Sequence, residues 1–350
     1  MRFFRTRPLG CRPRASVVVP CYNYGRYLPQ LVEAVLDQPN IDVDILIVDD
    51  ASPDGSGEVA EQLAASNPCV NVLRHTSNKG HIQTYNDGLE AVSGDYVVLL
   101  SADDLLPAGA LTRAIALMEA HPNVGFVYGY ARSFSGEPPV VNPAVRNWSV
   151  WTGIDWLCVS ARRGRSFISS PEVVMRGDAL RQVGGYDPRL PHSGDLDMWL
   201  RTAAHWDVGR VNGPIQALYR VHEDNMHLTA YAGWLTDLVA RRRTFNLLFD
   251  EHEPSRADIG LLRKPAMRAL ANEALRRAMW AHRDYADTSL MREYLDYAVE
   301  TDPMIMRSAW WRVCQFGMLR DVRLPAAPAR RYASRARHHL QWRWARRYGT

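Results

Sequence analysis

The chain has 350 residues, 47% of them hydrophobic and 23% charged, with a formal net charge of +4. That is ordinary globular composition, enough for one large domain or a domain with an appendage, and too weakly charged to argue for nucleic acid. Five scattered cysteines, never in a C-x-x-C pair, exclude a disulfide framework or structural zinc and suit a reducing compartment. In chain order, residues 1–14 read as a basic N-terminal tail. The short β-branched run "SVVVP" (16–20) follows, then Leu28, Leu31, Val32, Val35 and Leu36 recur at helical spacing. "VDILIVDD" (43–50) is strand-like and ends on Asp49 and Asp50. "GEVAEQLAASN" reads as helix and "VNVLRH" as strand, and Ile82, Tyr85, Leu89 and Val92 mark one helix face. Residues 95–100 form the next strand, running straight into Asp103 and Asp104; Leu111, Ile115 and Met118 stripe the following helix, and "NVGFVYGYA" is strand again.

Strand–helix alternation at this spacing predicts a mainly parallel sheet covered by helices, with ligands at the carboxyl ends of its strands. Those ends carry "PCYNYG", "DDASPDGS", "HTSNKG" and "SADD", four polar loops on one rim. A buried strand ending in paired carboxylates needs a cation to meet them, an arginine or a metal. After the proline-rich "SGEPPVVNPAV" a mixed region runs to about residue 225. From there helix dominates, and "RALANEALRRAMWAHRDYADTSLMREYLDYAVETDP" reads as one helical hairpin. The expected organisation is the tail, a domain over 15–230 and a helical region over 231–350.

Taken in order, "VVVPCYNYGRYL", "ILIVDDASPDGS", "NKG…YNDGLEAVSGDYVVLLSADD", "VGGYDPRL", "GDLDMWLR" and "YRVHEDN" resemble the family-two inverting glycosyltransferases of GT-A fold, over roughly residues 15–230. The resemblance implies an α/β fold: a GT-A-type nucleotide-binding sheet, mixed but mainly parallel, flanked by helices, with a C-terminal helical extension. It also implies a donor nucleotide-diphosphate sugar, most simply a UDP-sugar, a hydroxyl acceptor, and Mn2+ or Mg2+. Pro20, Tyr22 and Asn23 match positions bordering the base, and Asp50 matches the residue that bonds a uracil-type base. Asp103 matches the group touching the ribose and Asp104 the metal ligand, with His222 matching a histidine that completes the metal shell in some relatives. Asp195 matches the proposed catalytic base. Ser101 stands where many relatives carry aspartate, and Gly194 where the "ED" pair has its glutamate.

The chemistry of these residue types agrees. A hard divalent cation offsets charge building on a diphosphate leaving group and takes oxygen ligands from one or two carboxylates. A positioned carboxylate that removes the acceptor proton contributes ~10²–10⁴-fold. Blander roles compete: Ser52 or Asp54 caps the next helix, Gly184 and Gly185 make a tight turn, and Trp199 packs in the core. Of Asp187, Asp195 and Asp197, one is free to pair with Arg189 or Arg201.

Two readings stay open for the C-terminal stretch, where Tyr332, Ala336, Leu340, Trp344 and Tyr348 fall at four-residue spacing among arginines. One is an interfacial helix drawn to anionic lipid; the other, favoured slightly, is a helix packed on the catalytic domain with a solvated basic face. No apolar run approaches the roughly 18 residues that cross a bilayer. The apolar stretch near the amino terminus is too short for a signal peptide. The expected location is cytoplasmic, soluble or peripheral at the membrane's inner face. The expected activity is metal-dependent inverting glycosyl transfer in surface-polysaccharide or specialised-metabolite synthesis. The alternative is a nucleotide-sugar-binding protein without catalysis, motivated by Ser101 and Gly194. A dinucleotide oxidoreductase is disfavoured, because the first strand is followed by "PCYNYG" and not G-x-G-x-x-G.

Overall fold

The computed structural model describes residues 1–223, 225, 233–252, 256–285 and 287–320; the stretch carrying Tyr332, Ala336, Leu340, Trp344 and Tyr348 lies outside the described residues. The chain divides into two compact units, one of Met1–Trp156 with Ile168–Ala230, the other of Leu157–Phe167 with the chain from Tyr231 onward.

The first unit holds strands β1 (Arg2–Phe4), β2 (Arg14–Cys21), β3 (Asp42–Asp49), β4 (Val70–Arg74), β5 (Tyr96–Leu99) and β6 (Val124–Tyr128). They are followed by β7 (Ala131–Phe134), β8 (Asn147–Trp151), β9 (Val174–Arg176), β10 (Asp207–Asn212) and β11 (Ala217–Arg220). Helices α1 (Leu28–Leu36), α2 (Ser56–Ser66), α3 (His81–Ala91) and α4 (Ala110–Ala120) alternate with the early strands. Helix α5 (Gly153–Arg163) begins in this unit and continues in the other, and α6 (Gly177–Val183) and α7 (Gly194–His205) follow in the first. One sheet has the order β1-β8-β10-β6-β9-β5-β2-β3-β4, and β7 and β11 form a separate parallel pair.

Strands β2, β3, β4 and β5 run parallel, β9 is antiparallel between β5 and β6, and β10 is parallel to β6. The α/β fold with a mixed, mainly parallel sheet flanked by helices is therefore the one the sequence leads one to expect. Strand β2 lies inside the sheet between β5 and β3, and Ala15, Val17, Val18 and Val19 are wholly buried, as a strand covered on both faces requires. Helix α1 starts with Pro29 in its first turn, where the missing N–H removes no helical bond, and buries Leu28, Leu31, Val32 and Val35 along one stripe.

Residues 1–14 are not simply a tail. Arg2, Phe3 and Phe4 pair antiparallel with Val150, Ser149 and Trp148 of β8, and the Phe4 ring lies 4.3 Å from that of His121. A three-residue strand flanked by arginine gives no readable alternation. The mixed region supplies β8, β9 and β10, whose pairing partners lie far away in sequence.

In the second unit α8 (Trp234–His252), α9 (Ala257–Gly260), α10 (Arg263–Tyr285), α11 (Thr288–Thr301) and α12 (Ala309–Arg320) follow one another. Helices α10 and α11 pack as the expected hairpin, with Ala266, Leu270, Ala274 and Ala278 buried at four-residue spacing. Arg241 is buried there against Asp237 at 2.7 Å and Glu273 at 3.1 Å. Among the described residues no helix is long and apolar enough to cross a membrane.

Helix α3 presses onto β2 and β3 at Gly88, where a β-carbon would meet Val18 Cγ1 at 2.4 Å and Val48 Cγ2 at 2.9 Å. Gly88→Ala is predicted to destabilise the chain by ~1–3 kcal/mol through overpacking. In urea titrations this appears as a lower midpoint at unchanged slope; a midpoint equal to the parent's would show that the helix steps back freely.

Candidate functional site

Parallel strands β3, β2 and β5 are neighbours, so the loops leaving their carboxyl ends are held side by side, about 4.8 Å apart per strand. Asp50 follows β3, Asp103 and Asp104 follow β5, and Pro20 to Asn23 close β2. Asp50 is buried, and both its oxygens are engaged. Oδ1 meets His75 Nδ1 at 2.8 Å and accepts the Lys79 N–H at 2.8 Å, while Oδ2 accepts the Gly80 N–H at 2.9 Å. Burial would raise this carboxyl; the N–H groups of Lys79 and Gly80, with His75 and Thr84, outweigh it and hold the pKa below the usual value. Asp50 thereby ties down the "HTSNKG" loop, which Gly80 completes at φ +83°.

His75, absent from the expected set, lies between two carboxylates: its Nε2 is 3.0 Å from Asp87 Oδ2, which Lys79 Nζ also reaches at 2.8 Å. A polar residue at a strand end was the available signal, and only the fold brings Asp87 to it from α3. Asp49 points elsewhere, towards the Ser52 N–H at 3.4 Å and Arg74 Nε at 3.6 Å. Asp54 accepts the Ser56 N–H at 3.0 Å just ahead of α2, but the N-cap of that helix is Gly55, in the left-handed region, so neither Ser52 nor Asp54 takes the capping position expected of them.

The two aspartates after β5 diverge. Asp104 turns inward: its Oδ1 accepts the Arg220 N–H at 2.9 Å, and Leu105 and Leu218 exchange backbone hydrogen bonds beside it. Burial, then the charge of Asp103, raises the Asp104 carboxyl well above its usual value, against Arg220. Asp103 faces His222, with Oδ2 to Nε2 at 2.9 Å and Asn225 Nδ2 at 3.3 Å. Sequence grouped His222 with Asp104; the contact found is with Asp103. Both residues lie in the turn beyond β5, which sends Asp103 towards His222 and Asp104 towards the Arg220 backbone.

Arg220 is the cation that meets this pair. Its Nε donates to Asp103 O at 2.9 Å, Nη2 to Gln30 Oε1 at 2.6 Å, and its guanidinium sits 4.9 Å over the Tyr27 ring. The His222 ring stacks on Tyr27 at 5.6 Å and meets Tyr24 edge-on at 5.3 Å. Tyr24, Tyr27 and Arg220 stood inside the quoted motifs, but composition gave no reason to select them. Of the base-bordering candidates, Tyr22 is 45% exposed, Pro20 is half-buried, and Asn23 adopts φ 62° with its N–H bonded to Ser52 Oγ at 3.0 Å.

Among the described residues no group of three or more His, Cys, Asp or Glu side chains converges to hold an ion unaided. The donor set at Asp103 and His222 nevertheless fits a divalent ion that takes its remaining ligands from substrate and water. Octahedral bonds of about 2.0–2.1 Å set neighbouring ligand atoms roughly 3 Å apart, close to the 2.9 Å observed. Asp104 Oδ2 is buried without a hydrogen-bond partner on the same rim.

Asp195 occupies the first turn of α7, behind Ser193. The structure sorts the three neighbouring aspartates: Asp187 pairs with Arg189 at 2.5 Å, Asp197 with Arg201 at 2.7 Å, and Asp195 Oδ1 accepts the Tyr186 hydroxyl at 2.8 Å. Burial raises the Asp195 carboxyl, opposed by Ser170, Tyr186 and the nearby charge of His81. His81 opens α3 directly after Gly80, so one helix start separates Asp195 from Asp50. Trp199 packs in the core 5.3 Å from Phe126, and Gly184 makes the turn at φ +77°.

Comparison with known proteins bears on this geometry. The model of glycosyl transferase family 2 matches residues 16–155. An uncharacterized glycosyltransferase of Nostoc sp. is 34% identical over 229 residues, 62% of this chain and 67% of its own length. Other curated relatives are matched over 40%, 29% or as little as 22% of their length. Among solved structures, the mannosyltransferase PcManGT from Pyrobaculum calidifontis, in complex with GDP-Man and Mn2+, is 18% identical with a TM-score of 0.52, over 86% of this chain and 90% of that one. TarS of S. aureus in complex with UDP-GlcNAc is 14% identical with a TM-score of 0.55, over 84% and 92%. At such identities the likeness shows the fold.

The raised Asp195 carboxyl fixes the sign of a stability effect. Its folded pKa lies above the unfolded value of about 3.9, so ionisation opposes folding as pH rises through that window and fully above it. Asp195→Asn is therefore expected to unfold at a higher temperature than the parent at pH 7, the gap closing below about pH 4. Thermal unfolding across pH checks this; a lower melting temperature at pH 7 would contradict it.

Proposed function

This chain belongs to glycosyl transferase family 2, and from that footing we propose that it is a metal-dependent inverting glycosyltransferase using a nucleotide-diphosphate sugar, uridine-based, and a hydroxyl acceptor. The observation that carries the reading is the meeting of Asp103 with His222 on the strand-end rim, while a carboxylate of raised pKa, Asp195, lies beyond the start of α3. Pro20, Tyr22 and Asn23 border the base. Asp50 acts by holding the Lys79–Gly80 backbone against the nucleotide as well as by its remaining acceptor capacity. Asp103 and His222, with Asp104 beside them, would hold Mn2+ or Mg2+. When bound, the ion stabilises the negative charge that grows on the departing diphosphate.

The acceptor oxygen attacks the anomeric carbon as the bond to the diphosphate breaks. The bonding pair leaves with the nucleoside diphosphate, and the acceptor proton passes to an Asp195 oxygen. One displacement inverts the anomeric centre, so an α-linked donor gives a β-linked product. A carboxylate raised towards neutrality by burial is a better proton acceptor than a fully solvated one. The Mn2+ and GDP-Man of one structural neighbour and the UDP-GlcNAc of another support a divalent ion and a sugar nucleotide while leaving the base to experiment. Five scattered cysteines with no C-x-x-C pair suit a cytoplasmic site of action, and the basic C-terminal stretch is where peripheral contact with the inner membrane face would form. Surface-polysaccharide synthesis is the setting we favour, by family analogy.

The test is a panel of UDP-, GDP- and dTDP-sugars with and without Mn2+, read first by thermal shift and then by release of the nucleoside diphosphate. One donor should raise the melting temperature in a metal-dependent way. His222→Ala should weaken that dependence. Asp195→Asn should keep donor binding and lose about 10²–10⁴-fold in turnover. Binding without turnover on any donor and acceptor would support a non-catalytic sugar-nucleotide binder instead.

A further inference from the structure

Asp195 lies next to a tyrosine whose position is fixed from several directions. Asn86 of α3 clamps the Tyr186 backbone from both sides: the Tyr186 N–H donates to Asn86 Oδ1 at 2.7 Å, and Asn86 Nδ2 donates to Tyr186 O at 2.8 Å. Gly185 permits this approach, since a β-carbon there would lie 2.4 Å from Asn86 Oδ1. The Tyr186 ring is 5% exposed and meets Tyr85 edge-on at 5.3 Å. Its other side excludes a side chain at position 194, where a β-carbon would come within 2.7 Å of Tyr186 Cδ1. The glycine standing before Asp195 is thus the counterpart of the tyrosine ring. From this seat the phenol donates to Asp195 Oδ1 at 2.8 Å.

We propose that Tyr186 is a positioning residue for the base: its hydroxyl fixes Oδ1 of Asp195 and, with Ser170 as a second donor, orients the carboxylate that receives the acceptor proton. The inference rests on Asp195 being the base and goes beyond that reading by naming the group that holds it ready. Burial, then the charge of Asp195, pushes the Tyr186 phenol well above its ordinary value, so it stays a donor throughout the working range. The groups facing Asp195 are His81 from α3, Ser170 from the 3-10 turn Ser170–Glu172, and Tyr186 from the loop before α7, while Tyr85 of α3 faces Tyr186. Asp187 and Asp197 are engaged by Arg189 and Arg201. Among these, Ser170 shares with Tyr186 the task of opposing burial.

Removing the phenol hydroxyl leaves the ring's shape and takes one donor from the carboxylate, so the carboxylate binds its proton more readily. For Tyr186→Phe, the acid limb of the kcat/KM profile should move up by about one pH unit. Plateau kcat should fall about tenfold, and donor KM should stay within about twofold, as expected for loss of one charge-assisted hydrogen bond. The shift should persist in the His81→Gln background, which removes the neighbouring imidazole. Monofluorotyrosine at position 186 keeps the ring and makes the hydroxyl a stronger donor, so the limb should move the opposite way. An unmoved limb in both variants, a shift that vanishes without His81, or a loss confined to donor KM would each overturn the proposal. The underlying reading fails separately: Asp195→Asn with parental turnover would remove the base itself, whatever Tyr186 does.

Discussion

Carboxylates at the ends of buried strands must each be given donors, because a charged group taken from water without them is expensive. The rim of this sheet is arranged around that constraint. Asp49 ends β3, Asp50 follows it, Asp103 and Asp104 lie in the loop after β5, and all four are buried. Each finds a different kind of partner. Asp50 takes backbone N–H groups and an imidazole, and Asp104 takes the backbone of β11. Asp103 takes His222, and Asp49 lies against Arg74. In meeting these needs the chain also fixes its loops. The Lys79–Gly80 turn is moored to Asp50, and the β7–β11 pair is fastened to the rim where Asp104 and Leu105 meet Arg220 and Leu218. Polar satisfaction and site geometry are here one problem with one solution.

Arg220 shows how much a single side chain carries in such an arrangement. It is buried, donates through its guanidinium to Asp103 O and Gln30, and lies between the rings of Tyr27 and Phe134. Arginine suits this seat because its planar fork serves several acceptors while its faces stack on aromatic rings. The cation that a reader of "SADD" must look for is thus an arginine in the first instance. Asp103 and His222 remain turned towards the rim, where a second, divalent charge would find ligands.

Asp195 follows the opposite logic. Its two neighbouring aspartates are neutralised by arginines, whereas it receives only hydroxyl donors and sits close to His81. The result is a carboxylate that burial makes more basic without making it inert, and the fold tolerates its ionisation at the expense of some stability. Such a group is what proton transfer near neutral pH needs.

The amino-acid sequence alone determined the strand–helix rhythm from Ala15 to Ala131, the polar rim at the strand ends and the α10–α11 hairpin. Side-chain periodicity and turn chemistry are local, and they survive in a one-dimensional reading. It also named candidate residues along that rim, but grouped His222 with Asp104 where the structure pairs it with Asp103, and did not say that both Asp187 and Asp197 pair with arginines. Those outcomes depend on contacts between positions up to 119 residues apart, such as His222 with Asp103. The pairing of Arg2–Phe4 with β8, the insertion of β9 between β5 and β6, and the role of Asn86 beneath Tyr186 were likewise decided by tertiary structure. Strand partners and hydrogen-bond partners are chosen by packing of the whole sheet, and no local propensity encodes them.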